Sequence, residues 1–457
     1  MRRCHWMFVK TGLVLAILSA TSDRSGASET YRLAPSPNRD EISQVEITLQ
    51  VGGDLRLAPA GAKQPTKMPM SVRANLTYDE RRIADSQAER LAYRHYKTAE
   101  ATLKIDKGGQ TPSLSDTHRV IGVRVADRTA TMFCPKSRLT RDELDLIEVP
   151  GNSLVIEDLL PKESVSIGST WKANDDTLAL VLDLEAVSFS EVQSTLIEVR
   201  EGRAVVAMAG TVGGAVGGVG TEMEIKAKYT FDLKQQRIDW FALLIKEKRA
   251  IGHIGPGLDL VAKLIMKITP AAKSEELGDA ALARLPDKVT PVLKALAYQA
   301  PKGEYRFAYD PRWFVTSEER DLIVLRLVDR GELVAQCNVS PIRSGSEKPV
   351  TLAQFQDDVQ LALGKSFGQF EQATEYTDPR GTKVFRLVAR GDASGLAIHW
   401  IYYLMVGPNG QRLSVAFTLE SDVVEQFDNA DRPFVANVHL GAPAPVEAAA
   451  KPSGKKS

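Results

Sequence analysis

Histidine, tryptophan and tyrosine gather most densely at His399, Trp400, Tyr402 and Tyr403. An imidazole can act as a general base when a hydroxyl or carboxylate lies within reach. Flat amphipathic rings can instead offer a contact surface to a partner. Spacing identifies no nucleophile or carboxylate beside His399, because Ser414 and Glu420 are ordinary residues of the following segment. Side chains alternate along a strand, so Trp400 and Tyr402 share one face while His399 and Tyr403 share the other. One pair is expected in core or cross-strand packing, and the other is the candidate binding face. A second candidate is His253, in the glycine-rich turn RAIGHIGPG at 249–257. Rigid sheets place binding residues on such loops, and an ordinary turn is the competing reading.

Other reactive patterns lead nowhere. The run GTVGGAVGGVG at 210–220 could cradle phosphate only if it fed a helix N-terminus. It is followed instead by TEMEIKAKYTFDL, whose Met223, Ile225, Ala227, Tyr229 and Phe231 alternate as in a strand, and no GK[ST] is present. A hairpin or bulged strand is expected. Asp175-Asp176 and Asp357-Asp358 fall at a helix start and on a helix face, where they complement a dipole or water. Beyond Cys4 the chain has Cys134 and Cys337, expected in different domains and more often free than paired. Two distant thiols and scattered histidines lack zinc spacing. No catalytic residue, cofactor or metal site is therefore expected.

The elements that would position these residues are mostly strands. In 41–51, Val45, Ile47, Leu49 and Val51 alternate with polar residues, the period of a half-buried strand. Similar strands are expected at 70–78, 91–105, 119–133, 191–199, 203–209, 229–233, 239–248 and 258–268. Thr140 and Glu143 form a capping box that predicts a helix over 141–147, with a second short element at 154–160. Residues 176–187 read as a helix. Between Pro270 and Pro301 the composition turns to alanine, lysine and glutamate, predicting one or two short helices in which Leu293, Leu296 and Ala297 share a face. Farther on, strands are expected at 322–327, 334–339, 383–390, 397–406 and 411–420. A capped helix begins after Thr351 with Leu352, Phe355, Val359, Ala362 and Leu363 on one side, and a closing helix starts at Ser421 or Asp422.

The amino terminus reads as an export signal. Arg2, Arg3 and Lys10 flank a short apolar run, TGLVLAILSA at 11–20, with cleavage expected after Ser22 or Ala27. The run is about half of what a spanning helix needs, so no stable membrane span is expected after cleavage. Lysine plus arginine balance aspartate plus glutamate at 58 each, so no overall field favours nucleic acid. The domains expected are a signal peptide and leader at 1–27, an antiparallel β-rich domain at 28–270, a helical linker at 271–302, an α+β domain at 303–440 and a disordered tail at 441–457.

The phrase YRFAYDPRW at 305–313, two strands, a helix, a meander containing IHWIYY at 398–403 and a last helix together resemble the PsbP and DcrB-like families. That resemblance implies an α/β/α sandwich on an antiparallel sheet and a non-catalytic role in binding or stabilising larger partners. It carries no active-site residues over. In the first region VSIGSTW at 165–171 is similar to a phrase of uncharacterised bacterial secreted β-rich domains. The expectation is an α+β protein exported to the periplasm or beyond, non-enzymatic, holding an unknown protein or hydrophobic ligand and no nucleic acid. The aromatic face or the concave side of the first sheet is its expected contact surface. The alternatives are a carrier of a hydrophobic ligand and a hydrolase assembled from scattered residues.

Overall fold

The computed structural model describes residues 29–441 apart from 37–41, 59–64, 87–88, 272, 287, 330 and 343–349. The expected signal peptide lies outside the described residues, as does the expected tail beyond Gly441. The described residues are 57% strand and 15% helix, so antiparallel β-structure dominates.

Alternating sequences build a sheet of thirteen strands among the described residues. Its order runs Thr129–Phe133, Val120–Ala126, Glu89–Ile105, Thr66–Asp85, Ile42–Leu57, Gly257–Ala271, Arg237–Arg249, Val219–Asp232, Arg203–Val216, Gln193–Arg200 and Thr170–Trp171. Ala186–Ser190 and Gly108–Gln110 add at the sides. The one strand expected at 119–133 is two: Asp127 and Arg128 both take positive φ, at 51° and 62°, the geometry of a tight hairpin turn. The glycine-rich run 210–220 is a hairpin, its turn at Gly217 and Gly218.

One face of this sheet carries Val45, Leu76, Tyr229 and Phe241, and the chain itself covers it. Helix α1 (Arg141–Ile147), the 3-10 turn Ile156–Leu159 and helix α2 (Asp175–Leu182) bury Leu144, Ile147, Ile156, Leu159, Leu178 and Val181 against it. The α1 capping box forms as its sequence dictates, with the Thr140 hydroxyl accepting from the Glu143 amide. Helix α2 stops short of the expected 187: Asp183 turns left-handed, with φ 58°, and a strand follows. Between the sheet and residues 152–153, Arg94 is 2% exposed. It donates to Glu80 Oε2 at 2.8 Å, Asn152 Oδ1 at 2.7 Å and Ser153 Oγ at 3.0 Å. This buried ionic network pins residues 152–153 to the sheet.

The region expected as a helical linker holds two helices of four residues, α3 (Asp279–Leu282) and α4 (Pro291–Lys294). Leu296 and Ala297 are not helical. They begin a strand, Leu296–Gln299, paired with Tyr305–Tyr309, because Tyr298 stacks on Phe307 at 4.9 Å and Leu296 is buried.

A seven-stranded antiparallel sheet follows, in the order Trp313–Glu319, Leu322–Asp329, Glu332–Ile342, Arg412–Glu420, Leu396–Val406, Lys383–Ala393 and Phe367–Thr377. Helix α5 (Leu352–Leu363) sets Phe355 and Val359 against Phe385, Leu387 and Leu404 on one face. On the other face Trp313 and Phe417 pack against Phe434 at 5.6 Å. The expected closing helix is broken into a 3-10 turn, Ser421–Val423, and two short helices, α6 (Val424–Phe427) and α7 (Asp431–Ala436). Buried side chains of both large sheets belong to one continuous core. Cys134 and Cys337 are buried and free.

Candidate functional site

The four aromatic-cluster residues do not form an open face. Trp400 is 7% exposed and packs with Phe367 and Phe370. Tyr402, half-buried, packs on the same side. Tyr403 is 1% exposed and donates to Asp431 Oδ2 at 2.6 Å, which also accepts from Arg386 Nε at 2.9 Å. Burial and the adjacent Asp431 carboxylate push the Tyr403 phenol upward. These groups lock α7 onto the sheet. Trp400 and Tyr403 are thus buried and His399 and Tyr402 half-buried, so packing takes up most of the cluster.

His399 does find partners that spacing alone could not supply. Its Nδ1 lies 3.1 Å from Ser421 Oγ, and its Nε2 lies 3.4 Å from Glu371 Oε2. Hydroxyl, imidazole and carboxylate stand in the order a nucleophilic serine requires. Glu371 sits at a bulge of the edge strand Phe367–Thr377 and reaches across Arg390. Its separation from His399 in sequence and the bulge left no readable period.

The second candidate loop borders a cleft. Its imidazole, His253, is exposed, and its carbonyl accepts a hydrogen bond from Arg326 of the seven-stranded sheet. Its neighbours Gly252, Ile254 and Pro256 line a concavity of about 530 Å³ where the two large sheets meet. Leu180, Leu184 and Phe314 make much of the wall, and Arg128 and Arg249 also line it. Two elements of the seam fix its shape. Arg141 donates to the carbonyls of Pro311 and Trp313 and lies over the Phe314 ring at 4.6 Å. Gly218 packs so tightly on Gly331 that a Cβ on it would fall 1.9 Å from the Gly331 carbonyl oxygen.

The same cleft collects carboxylates from the helix ends. Glu148 follows α1, Asp183 follows α2, and Glu185 accepts from the amides of Gly217 at 2.9 Å and Gly218 at 3.2 Å. The Glu148 and Asp183 carboxylates make no hydrogen bond or ion pair among the described residues. Asp183 is accessible to water yet surrounded by protein, as a concave wall demands. Burial, then Asp183 and Asp145, raise the Glu148 carboxyl against the pull of Arg141. Burial raises Asp183 too, with Arg249 opposing and Glu185 adding. Nearby Asp145 is raised to about 6, by burial first and by Asp142 and Asp183 after it, with Arg141 opposing. The arrangement can hold a cation or a hydrogen-bond donor beside an apolar group.

Among the described residues, no group of three or more His, Cys, Asp and Glu is placed to hold a metal ion, and no helix is long and apolar enough to cross a membrane. No family model matches the chain, and no curated protein does. Solved structures give weak likenesses. The cyanobacterial PsbP of Synechocystis sp. PCC 6803 is 16% identical with a TM-score of 0.26, over 32% of this chain and 92% of that one. The Ran-binding protein Mog1p of Saccharomyces cerevisiae is 11% identical with a TM-score of 0.27, over 32% and 96%. The translocator domain of the autotransporter NalP from Neisseria meningitidis is 7% identical with a TM-score of 0.12, over 84% and 88%. The likeness to PsbP is confined to that third of the chain, and none of the three bears on activity.

Proposed function

We propose that the chain is an exported, non-enzymatic binding or scaffold protein of the cell envelope, and that the seam cleft is its contact site. The observation that carries this reading is the pairing of an apolar wall, Leu180, Leu184 and Phe314, with the unpaired carboxylates Glu148 and Asp183. Charge complementarity selects the occupant: a segment of a partner protein presenting lysine or arginine beside an apolar side chain. The face of the large sheet that a hydrophobic-ligand carrier would open is filled by α1 and α2, which weighs against that alternative. For residues 303–440 we propose the PsbP/DcrB-like α/β/α arrangement, supported by α5 on one face of the sheet and α6 and α7 on the other.

Immobilised peptides test the contact site. The expected result is retention of sequences with Lys or Arg next to Leu, Ile or Phe, lost in the variant Glu148→Gln/Asp183→Asn. Retention without a preference for basic residues, or unchanged in that variant, overturns the assignment. Export has its own check, cell fractionation: unprocessed chain dissolved in the cytosol would contradict it.

A second reading, hydrolase, is favoured by one observation, the Ser421, His399 and Glu371 array. It requires that a fluorophosphonate label the protein at Ser421, and that Ser421→Ala and His399→Gln each abolish labelling. An unlabelled wild type removes this reading.

A further inference from the structure

The outward face of the thirteen-stranded sheet, opposite α1 and α2, holds a second concavity, of about 640 Å³. Strand register explains its make-up. One rung across four strands reads Lys263, Gln50, Arg73 and Thr102; the next rung on the same face reads Val261, Gly52, Ser71 and Lys104. Neighbouring strands lie about 4.8 Å apart, which places the Cα atoms of Lys263 and Arg73 about 10 Å from one another. Arg73 and Lys104 are diagonal neighbours, about 7–8 Å apart. Three long cationic side chains therefore border a floor of small residues. A Cβ on Gly52 would meet nothing within 4 Å, so its missing side chain opens the space between them.

The side chains of Arg73, Lys104 and Lys263 make no ion pair or hydrogen bond among the described residues. Elsewhere on the same face Lys246 lies 3.0 Å and Lys226 3.6 Å from Glu224. Asp54 and Asp259 stand one rung away on one side and Glu100 one rung away on the other, but none of them lines the concavity. Gln50, Ser71 and Thr102 supply neutral hydrogen-bonding groups between the cations.

We propose that this concavity binds a phosphate-bearing anion, with Arg73, Lys104 and Lys263 contacting its phosphoryl oxygens and Gly52 providing the room. Guanidinium and ammonium donors suit such oxygens, Arg in a planar fork and Lys as a point charge. The chemistry is common to a free phosphate compound and to an anionic lipid headgroup.

The test uses the full chain with two probes at low salt: pyrophosphate by titration calorimetry, and co-sedimentation with vesicles of phosphatidylcholine alone or mixed with phosphatidylglycerol. Binding of pyrophosphate alone identifies a soluble ligand, and binding of the anionic vesicles identifies a headgroup. Either result supports the site when two variants agree. Lys263→Gln/Arg73→Gln/Lys104→Gln is expected to lose about tenfold in affinity per cation removed. Gly52→Leu keeps every charge but fills the space, and is expected to lose binding as well. Lys226→Gln/Lys246→Gln, which removes two positive charges from the same face, is expected to bind like wild type. Absence of binding to both probes overturns the proposal. So does wild-type binding by the Gly52→Leu protein, or a loss in the Lys226/Lys246 control as large as in the triple variant, because either result marks a diffuse field and no built site. Unchanged melting temperatures keep these outcomes separate from misfolding.

Discussion

Glu148, Asp145 and Asp183 hold their protons more tightly in the folded chain than the unfolded chain would. Their contribution to stability is therefore complete below the ordinary carboxylate range, near pH 4, and is lost as pH rises through about 6 for Asp145 and higher for the more confined Glu148. Glu148→Gln/Asp183→Asn should accordingly raise the melting temperature at pH 8 and leave it almost unchanged at pH 4. Equal shifts at both values would contradict the assignment. Arg94 has the opposite character, a buried cation whose removal strands the Glu80 carboxylate in the core. Arg94→Met should cost about 3–5 kcal/mol in a urea titration, and adding Glu80→Gln should recover a large part of it. Neither set was legible in the sequence. Glu148 and Asp183, like Glu80 and Arg94, are ordinary acids and bases until sheet register and helix ends bring them together. His399 stood out by composition, whereas Ser421 and Glu371 did not.

Elements whose signals are local could be read directly. Thr140 with Glu143 and Thr351 with Gln354 each specify a helix start through reciprocal side-chain and backbone bonds. Thr351→Ala should destabilise the fold by about 1 kcal/mol, measured as a shift in urea midpoint at constant slope. Long strands such as Gly257–Ala271 announce themselves by alternation because one face is dry and the other wet. The strand Phe367–Thr377 escaped notice for the converse reason. It is an edge strand, largely exposed, with register shifts after Phe367 and after Phe370 that break the two-residue period. Trp313–Glu319 carries a similar shift after Val315. The strand at Leu296 was hidden by a composition that favours helix, which the aromatic stack at Tyr298 and Phe307 overrules.

At the scale of the whole molecule, balanced charge conceals strong local contrast: carboxylates gather in the seam cleft and unpaired cations on the outward face. The two large sheets contribute to one core and touch backbone to backbone at Gly218 and Gly331. Wild type should therefore melt in a single calorimetric transition. Gly218→Val places a branched side chain at φ 72° against the Gly331 carbonyl. It should split that transition in two, or lower its midpoint and broaden it. An unaltered endotherm would show that the junction is not a point of coupling.

Cys134 belongs to the half built on the larger sheet and Cys337 to a central strand of the smaller one, and both are sealed from solvent as free thiols. In a chain beginning after Ala27 they are the whole complement of sulfhydryls. Each is therefore a built-in stopwatch: the moment an alkylating reagent can reach it records when its half first breathes open. Mass spectrometry of pulse-alkylated protein would order the two openings with no foreign label added.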